Sequence, residues 1–230
     1  MTKSPMRALL VGAKGRMGKT ILDLATADPK IDIVAQCDLG DDIAAGMKDV
    51  DVAIDFSHAD AIDEICRAAV EHGRALVIGT TGHSAAQRQL IEKTARSVPV
   101  VFASNFSVGV NALFALTRRA GEILREFDVS IIETHHQMKK DAPSGTAKTL
   151  AQVLKSVRKI DKEISIQSIR EGEVVGEHTV VFAGPGDRLE LTHRAASREI
   201  FARGALRAAV WIAGKHPGLY SMQDVLGIAL

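Results

Sequence analysis

Between Arg7 and Ala103 short apolar runs alternate with amphipathic segments of helical period, and few folds accept that rhythm. Arg7–Val11 ends at Gly12, and Met17–Ala25 follows with Met17, Ile21, Leu22 and Leu24 at near-helical spacing, so the opening reads strand, glycine turn, helix. Ile31–Asp38 alternates as a second strand, with Ile31, Ile33 and Ala35 on one face. The pattern recurs through Val50–Phe56 (strand), Asp60–His72 (helix), Ala75–Gly79 (strand), Ser84–Ala95 (helix) and Pro99–Ala103 (strand). Strands separated by helices pair in parallel, which predicts an α/β chain with a Rossmann-type doubly wound sheet.

After Asn105 the rhythm changes. The spacing predicts a long helix over Asn111–Phe127, strands at Val129–Thr134 and Lys162–Arg170, and a helix between them over Thr146–Val157. Glu171–Arg194 alternates, with turn signals at Gly172, Gly176 and Gly184-Pro185-Gly186, and reads as antiparallel hairpins. A helix from Gly204 to Ile212 and a loop through Pro217 close the chain. The expected organisation is a dinucleotide-binding domain over 1–106 plus 204–230, and an α+β substrate and oligomerisation domain over 107–203.

A chain of 230 residues with 29 basic and 28 acidic side chains folds around sizeable cores but carries no global field for nucleic acid or an anionic membrane. Any anion site must be local. Cys37 and Cys66 are too few for a disulfide framework or zinc cluster, which fits a reducing compartment. No run approaches the ~18 apolar residues of a membrane span, so the expected location is the cytoplasm.

The first local anion site is Gly12-Ala13-Lys14-Gly15-Arg16-Met17-Gly18, where the first strand meets the first helix. A backbone without side chains lets amides approach a pyrophosphate, and the helix start adds partial positive charge. Asp38, at the end of the second strand, stands where a carboxylate accepts hydrogen bonds from an adenosine ribose. Leu39 follows it and Asp41 and Asp42 lie close by, with no Arg to meet a 2′-phosphate, so NADH is favoured and NADPH remains possible through Lys14 or Arg16. Gly79-Thr80-Thr81-Gly82 and Ala103-Ser104-Asn105-Phe106 end the fourth and fifth strands, the edge at which doubly wound sheets bind ligands.

The second is His135-His136-Gln137-Met138-Lys139-Lys140-Asp141-Ala142-Pro143-Ser144-Gly145-Thr146. Ser144 can cap the helix that begins near Gly145, leaving the Gly145 and Thr146 amides and the Thr146 hydroxyl to grip a carboxylate. Cationic side chains facing exposed amides suit a small dicarboxylate, with His135 or Lys139 available for proton transfer. A metal held by Glu133, His135 and His136 is disfavoured, because adjacent side chains in an extended segment point to opposite faces. A solvated basic loop is the plainer alternative. His58, His72, His83, His178, His193 and His216 are scattered and read as structural.

Together these strings resemble the 4-hydroxy-tetrahydrodipicolinate (dihydrodipicolinate) reductases of the diaminopimelate route to lysine. The likeness spans essentially the whole chain: the Gly12–Gly18 loop, Asp55-Phe56-Ser57, Gly79–Gly82, Asn105–Asn111, His135–Ala147, Arg170-Glu171-Gly172, Val175–His178 and Leu191-Thr192-His193. The resemblance implies that His135 is the acid–base residue, that Lys139 donates a proton, and that His136, Gly145 and Thr146 bind substrate. It also implies a second domain that closes over the cofactor and builds a homotetramer. Gln137 and Met138 stand where family members often have Arg and His, and the segment after Asp38 is short and lacks the Arg often found there. A related amino-acid-type dehydrogenase, such as an aspartate or homoserine dehydrogenase, and a catalytically silent NAD-sensing protein are the rival readings.

Overall fold

The computed structural model describes residues 4–228. It divides into two compact units, one formed by the chain up to Phe106 together with the segment from Glu199 onward, the other by Ser107–Arg198. The second junction falls before Glu199, where an unbroken helix begins.

In the first unit β1 (Met6–Val11), α1 (Arg16–Ala25), β2 (Ile31–Cys37), β3 (Val52–Asp55), α3 (Ile62–His72), β4 (Ala75–Ile78), α4 (Ala85–Thr94) and β5 (Pro99–Phe102) follow one another as the alternation predicts, with one short helix that the sequence reading did not include, α2 (Ile43–Gly46), between β2 and β3. Every residue of β3 and β4 is buried, because helices cover both faces of the sheet. One core packs Leu10, Ile21, Ile54, Val77 and Leu206; the opposite one packs Leu9, Met47, Ile62, Ile65, Leu76 and Ile91. Ser84 starts α4 with a reciprocal capping box to Gln87.

The second unit contains α5 (Val108–Ile123), β6 (Asp128–His135), α6 (Gly145–Arg158), β7 (Ser165–Arg170), β8 (Gly176–Gly184) and β9 (Asp187–Ala195). Its sheet has the order β7-β6-β8-β9. Only β8 and β9 form a hairpin, turning at Gly184-Pro185-Gly186, where Gly186 has φ +73°. β6 and β7 are parallel and joined through α6, so this unit contains a βαβ unit as well. Expecting hairpins through the whole of Glu171–Arg194 overcounted: Gly172 lies in the turn before β8, and Gly176 is its first residue. The first helix starts at Val108 rather than Asn111, because Ser107 Oγ accepts the Val110 N–H at 3.2 Å. It ends at Ile123, where the Arg158 guanidinium donates to the Leu124 and Phe127 carbonyls. Val110, Leu113, Phe114, Leu150, Leu154, Ile131, Val180 and Phe182 form the core of this unit.

The chain then returns to the first unit as α7 (Glu199–Trp211), β10 (Gly218–Tyr220) and α8 (Met222–Leu226). The loop through Pro217 is followed by β10, for which the sequence carried no expectation; it adds a sixth parallel strand beside β5 and completes the order β10-β5-β4-β3-β1-β2. Within this unit Gly204 of α7 lies so close to the Phe106 carbonyl that a Cβ there would sit 1.8 Å from its oxygen. No helix of the described residues is long and apolar enough to cross a membrane.

Candidate active site

The first unit presents the glycine loop at the carboxyl ends of β1 and β2. Gly12 has φ +87°, and its N–H donates to the Cys37 carbonyl at 2.7 Å. A Cβ on it would lie 2.5 Å from the Phe56 carbonyl oxygen. Gly18 is closer still: its Cβ would meet the Gly12 and Ala13 carbonyl oxygens at 2.2 and 2.5 Å. Gly15 precedes α1 with extended backbone, no side chain caps the helix, and its first turn carries no carboxylate. Those features fit a nicotinamide dinucleotide, whose pyrophosphate needs a close backbone and open amides at a helix start. Lys14, Arg16 and Met17 lie around this turn, with Lys14 and Arg16 exposed.

Asp38 is tied to that loop. Its carboxylate accepts the Lys14 N–H at 3.0 and 3.3 Å, and Lys14 Nζ stands 3.9 Å away. Its own N–H donates to Asp41 Oδ2 at 2.8 Å, and Leu39 is fully exposed. At the ends of β4 and β5, Thr80 is buried and Thr81 exposed, while Ala103, Ser104 and Asn105 lead to the buried Phe106. The Phe106 ring lies 5.6 Å from that of Phe56, which also fills the space a Cβ on Gly79 would need.

The second unit assembles its charged groups around one carboxylate. Glu133 lies two residues before His135 on β6, so both side chains face the same side of the sheet. Its side chain is fully buried, with Oε2 3.3 Å from His135 Nδ1 and 3.8 Å from His178 Nε2. Both its oxygens accept the Ser144 N–H at 3.2 Å, and Arg170 Nη2 approaches Oε1 at 3.3 Å. Burial works to raise the Glu133 pKa, yet the Ser144 and Ser168 donors and the nearby His135 hold it below its ordinary value.

His135 is itself buried, which pushes its pKa down. Glu133 and Asp141 oppose that shift, while Lys139 and Arg170 add to it. Its ring meets that of His178 edge-on, with centroids 5.1 Å apart. Burial and the adjacent His135 lower His178 to about 4, so it is neutral at physiological pH. Gly176 lies beside His135 with no side chain; a Cβ there would come within 3.1 Å of Nε2.

Lys139 Nζ pairs with Asp141 Oδ1 at 2.7 Å, and Arg170 donates to the backbone carbonyls of Lys139 and Asp141, pinning the loop between β6 and α6. His136 leaves β6 half-buried, with its N–H donating to the Val174 carbonyl. Gln137 and Met138 are exposed. Ser144 Oγ accepts the Ala147 N–H at 3.2 Å and contacts His178 Nε2 at 3.1 Å, which fixes the start of α6. A Cβ on Gly145 would meet nothing within 4 Å, so the helix start opens outward there, beside the buried Thr146.

The ligand atoms of Glu133, His135 and His178 lie within 4.8 Å of one another, a different trio from the one weighed in the sequence. The Glu133 oxygens already accept from Ser144 and Arg170. Sequence reasoning missed Glu133 and His178 as parts of the site. The period-two placement of 133 and 135 was readable; the register pairing Glu133 with His178 across β6 and β8 was not.

Two family models cover nearly all of the chain: the N-terminal part of dihydrodipicolinate reductase matches residues 6–106 and its C-terminal part residues 109–226. The chain belongs to the dihydrodipicolinate reductase family. A 4-hydroxy-tetrahydrodipicolinate reductase from Akkermansia muciniphila is 47% identical, over 96% of this chain and 98% of its own. One from Stenotrophomonas maltophilia (strain R551-3) is 45% identical, over 98% and 100%. Among solved structures, a dipicolinate-bound dihydrodipicolinate reductase from Paenisporosarcina sp. TG-14 superposes with a TM-score of 0.79 at 22% identity, covering 96% of this chain and 98% of that one. That likeness shows a shared fold, and the family membership makes the chain an oxidoreductase.

Proposed function

We propose that this chain reduces 4-hydroxy-tetrahydrodipicolinate to tetrahydrodipicolinate with NADH or NADPH, in the diaminopimelate route to lysine. The observation that carries the reading is the convergence of His135 and the open start of α6 on one buried carboxylate, Glu133. The relatives that share this family carry the reductase name, which disfavours an amino-acid dehydrogenase or a silent sensor.

When bound, the nicotinamide supplies a hydride. Gly12 through Met17, Asp38, Gly79 to Thr81 and Ala103 to Phe106 hold the cofactor. The Gly145 and Thr146 amides and the Thr146 hydroxyl hold one substrate carboxylate, and His136 and Lys139 face the anionic substrate with positive charge or donors. Lys139 Nζ delivers a proton to the ring position where negative charge develops, and His135 accepts and returns protons as the substrate loses water.

Asp38 supports a preference for NADH, since it meets a 2′-phosphate with like charge and Leu39 offers no cation. Exposed apolar residues in the second unit, Leu116 and Ile123 on α5 and Leu189 on β9, support a homotetramer formed through that unit.

The test follows nicotinamide absorbance with freshly generated substrate at low ionic strength, where screening is weakest. Turnover is expected, with higher kcat/KM for NADH, and Leu39→Arg shifts the ratio toward NADPH because guanidinium pairs with phosphate. Absence of turnover sinks the function. A wild-type preference for NADPH means that Lys14 or Arg16 reaches the phosphate, and sinks the cofactor assignment.

A further inference from the structure

We propose that Glu133 is the positioning residue of this site, holding the His135 imidazole and the start of α6 in one fixed relation. It rests on the reading of His135 as the acid–base group, but its geometry stands apart from that reading. A fully buried carboxylate is costly unless paired and hydrogen-bonded. Glu133 is paired on every side, and each partner belongs to a different part of the site. Toward α6 it accepts the backbone N–H of Ser144, the residue that caps the helix and so sets the direction of the Gly145 and Thr146 amides. Toward β7 it meets Arg170, which in turn holds the Lys139 and Asp141 carbonyls. Along its own strand it stands 3.3 Å from Nδ1 of His135, opposite the ring edge where Gly176 leaves space beside Nε2.

The Nδ1–Oε2 approach is an ion-pair contact without an aligned hydrogen bond, so it is the charge of the carboxylate that favours a proton on Nδ1 and leaves Nε2 as the nitrogen available to substrate. It also opposes the loss of the imidazolium. The charged groups facing His135 are Glu133 from β6, Lys139 and Asp141 from the following loop, Arg170 from β7 and the neutral His178 from β8. Of the two anions only Glu133 is buried; Asp141 is exposed and already paired with Lys139. With Glu133 neutralised, burial and two cations act on His135 almost unopposed.

The experiment is a pH titration of 15N-histidine-labelled protein without substrate, with His135 assigned through His135→Gln, comparing wild type with Glu133→Gln. The expected result is a fall in the His135 pKa by about one unit or more, the range for losing an opposite charge at this distance. In parallel the limb of the kcat profile set by His135 moves to lower pH, kcat drops about 10- to 100-fold, and NADH affinity is unchanged. Glu133→Asp keeps the charge one methylene farther back. It is expected to restore part of the titration and part of kcat, and it provides the same readouts if the Gln variant does not fold.

An unchanged His135 titration in a folded Glu133→Gln protein overturns the proposal. So does a Glu133→Asp protein whose titration and kcat both match wild type. A shifted titration in a protein whose wild type shows no turnover supports the positioning role and refutes the reductase reading, which separates the two failures.

Discussion

Gly15→Ala and Gly18→Ala test different properties of the same loop, and the structure separates their effects. At Gly18 an added Cβ would stand 2.2 Å from the Gly12 carbonyl oxygen and 2.5 Å from that of Ala13, both main chain, so no side chain can swing away. Overpacking costs about 1–3 kcal/mol, and contact with fixed backbone belongs at the upper end. Because Gly18 lies inside α1, alanine recovers about 1 kcal/mol of helix propensity, leaving a net loss of about 2 kcal/mol. At about 2–4 °C per kcal/mol for a chain of this size, Tm falls by about 4–8 °C. Gly15 has ordinary φ of −67°, and its Cβ would meet only the Gly12 oxygen at 3.2 Å, so Gly15→Ala leaves Tm within about 1–2 °C. Its methyl instead occupies the approach to the pyrophosphate, and the Kd for NADH rises by about tenfold or more. Scanning calorimetry and NADH fluorescence titration measure the two quantities. A Gly18→Ala protein as stable as wild type, or a Gly15→Ala protein with undiminished NADH affinity, refutes the reasoning.

Thr146→Val keeps the shape but removes the hydroxyl, so binding of substrate and of pyridine-2,6-dicarboxylate should weaken by about 1–3 kcal/mol; equal inhibition of both proteins would place the carboxylate site elsewhere. His178 gives a pH dependence of stability. Its folded pKa of about 4 lies below the unfolded value, so the unfolded chain binds the extra proton, and stability is lost as pH falls from about 6.5 toward 4. The loss approaches about 3 kcal/mol, and urea midpoints of His178→Gln that fall as steeply as wild type over that window would refute the assignment.

The first unit was legible almost throughout because its signals are local. Strand ends at Gly12, Gly79 and Ala103, the capping residue Ser84, and buried runs such as Ala75–Ile78 can each be read within a window of about ten residues. β10 escaped because three residues, Gly218–Tyr220, carry no period, and only the open edge of β5 makes them a strand. In the second unit the strand, helix, strand order of β6, α6 and β7 was legible, and their parallel pairing is the one that such an order gives. The histidine and lysine string was visible because it is contiguous. Its counter-charge, Glu133, reads in sequence as one acid within Ile131-Ile132-Glu133-Thr134-His135, and only burial shows that it is the centre.

For the function proposed above, that counter-charge bears on how a nearly neutral chain would hold a dianion. Arg170 is matched by Glu133, Lys139 is matched by Asp141, and His178 is uncharged, so the core of the site carries little net charge at rest. The two pairs differ in what it costs to break them. Glu133 is fully buried, and removing its partners would strand a charge in the interior, a loss of about 3–5 kcal/mol. Asp141 has a side chain 57% exposed, and an ion pair of that kind contributes about 0–1 kcal/mol. In the proposed function Lys139 then leaves Asp141 for an incoming carboxylate at little expense, while Glu133 stays with Arg170 and His135. On that proposal the exposed acid keeps the lysine in place until substrate arrives, and the buried one keeps the histidine in place throughout.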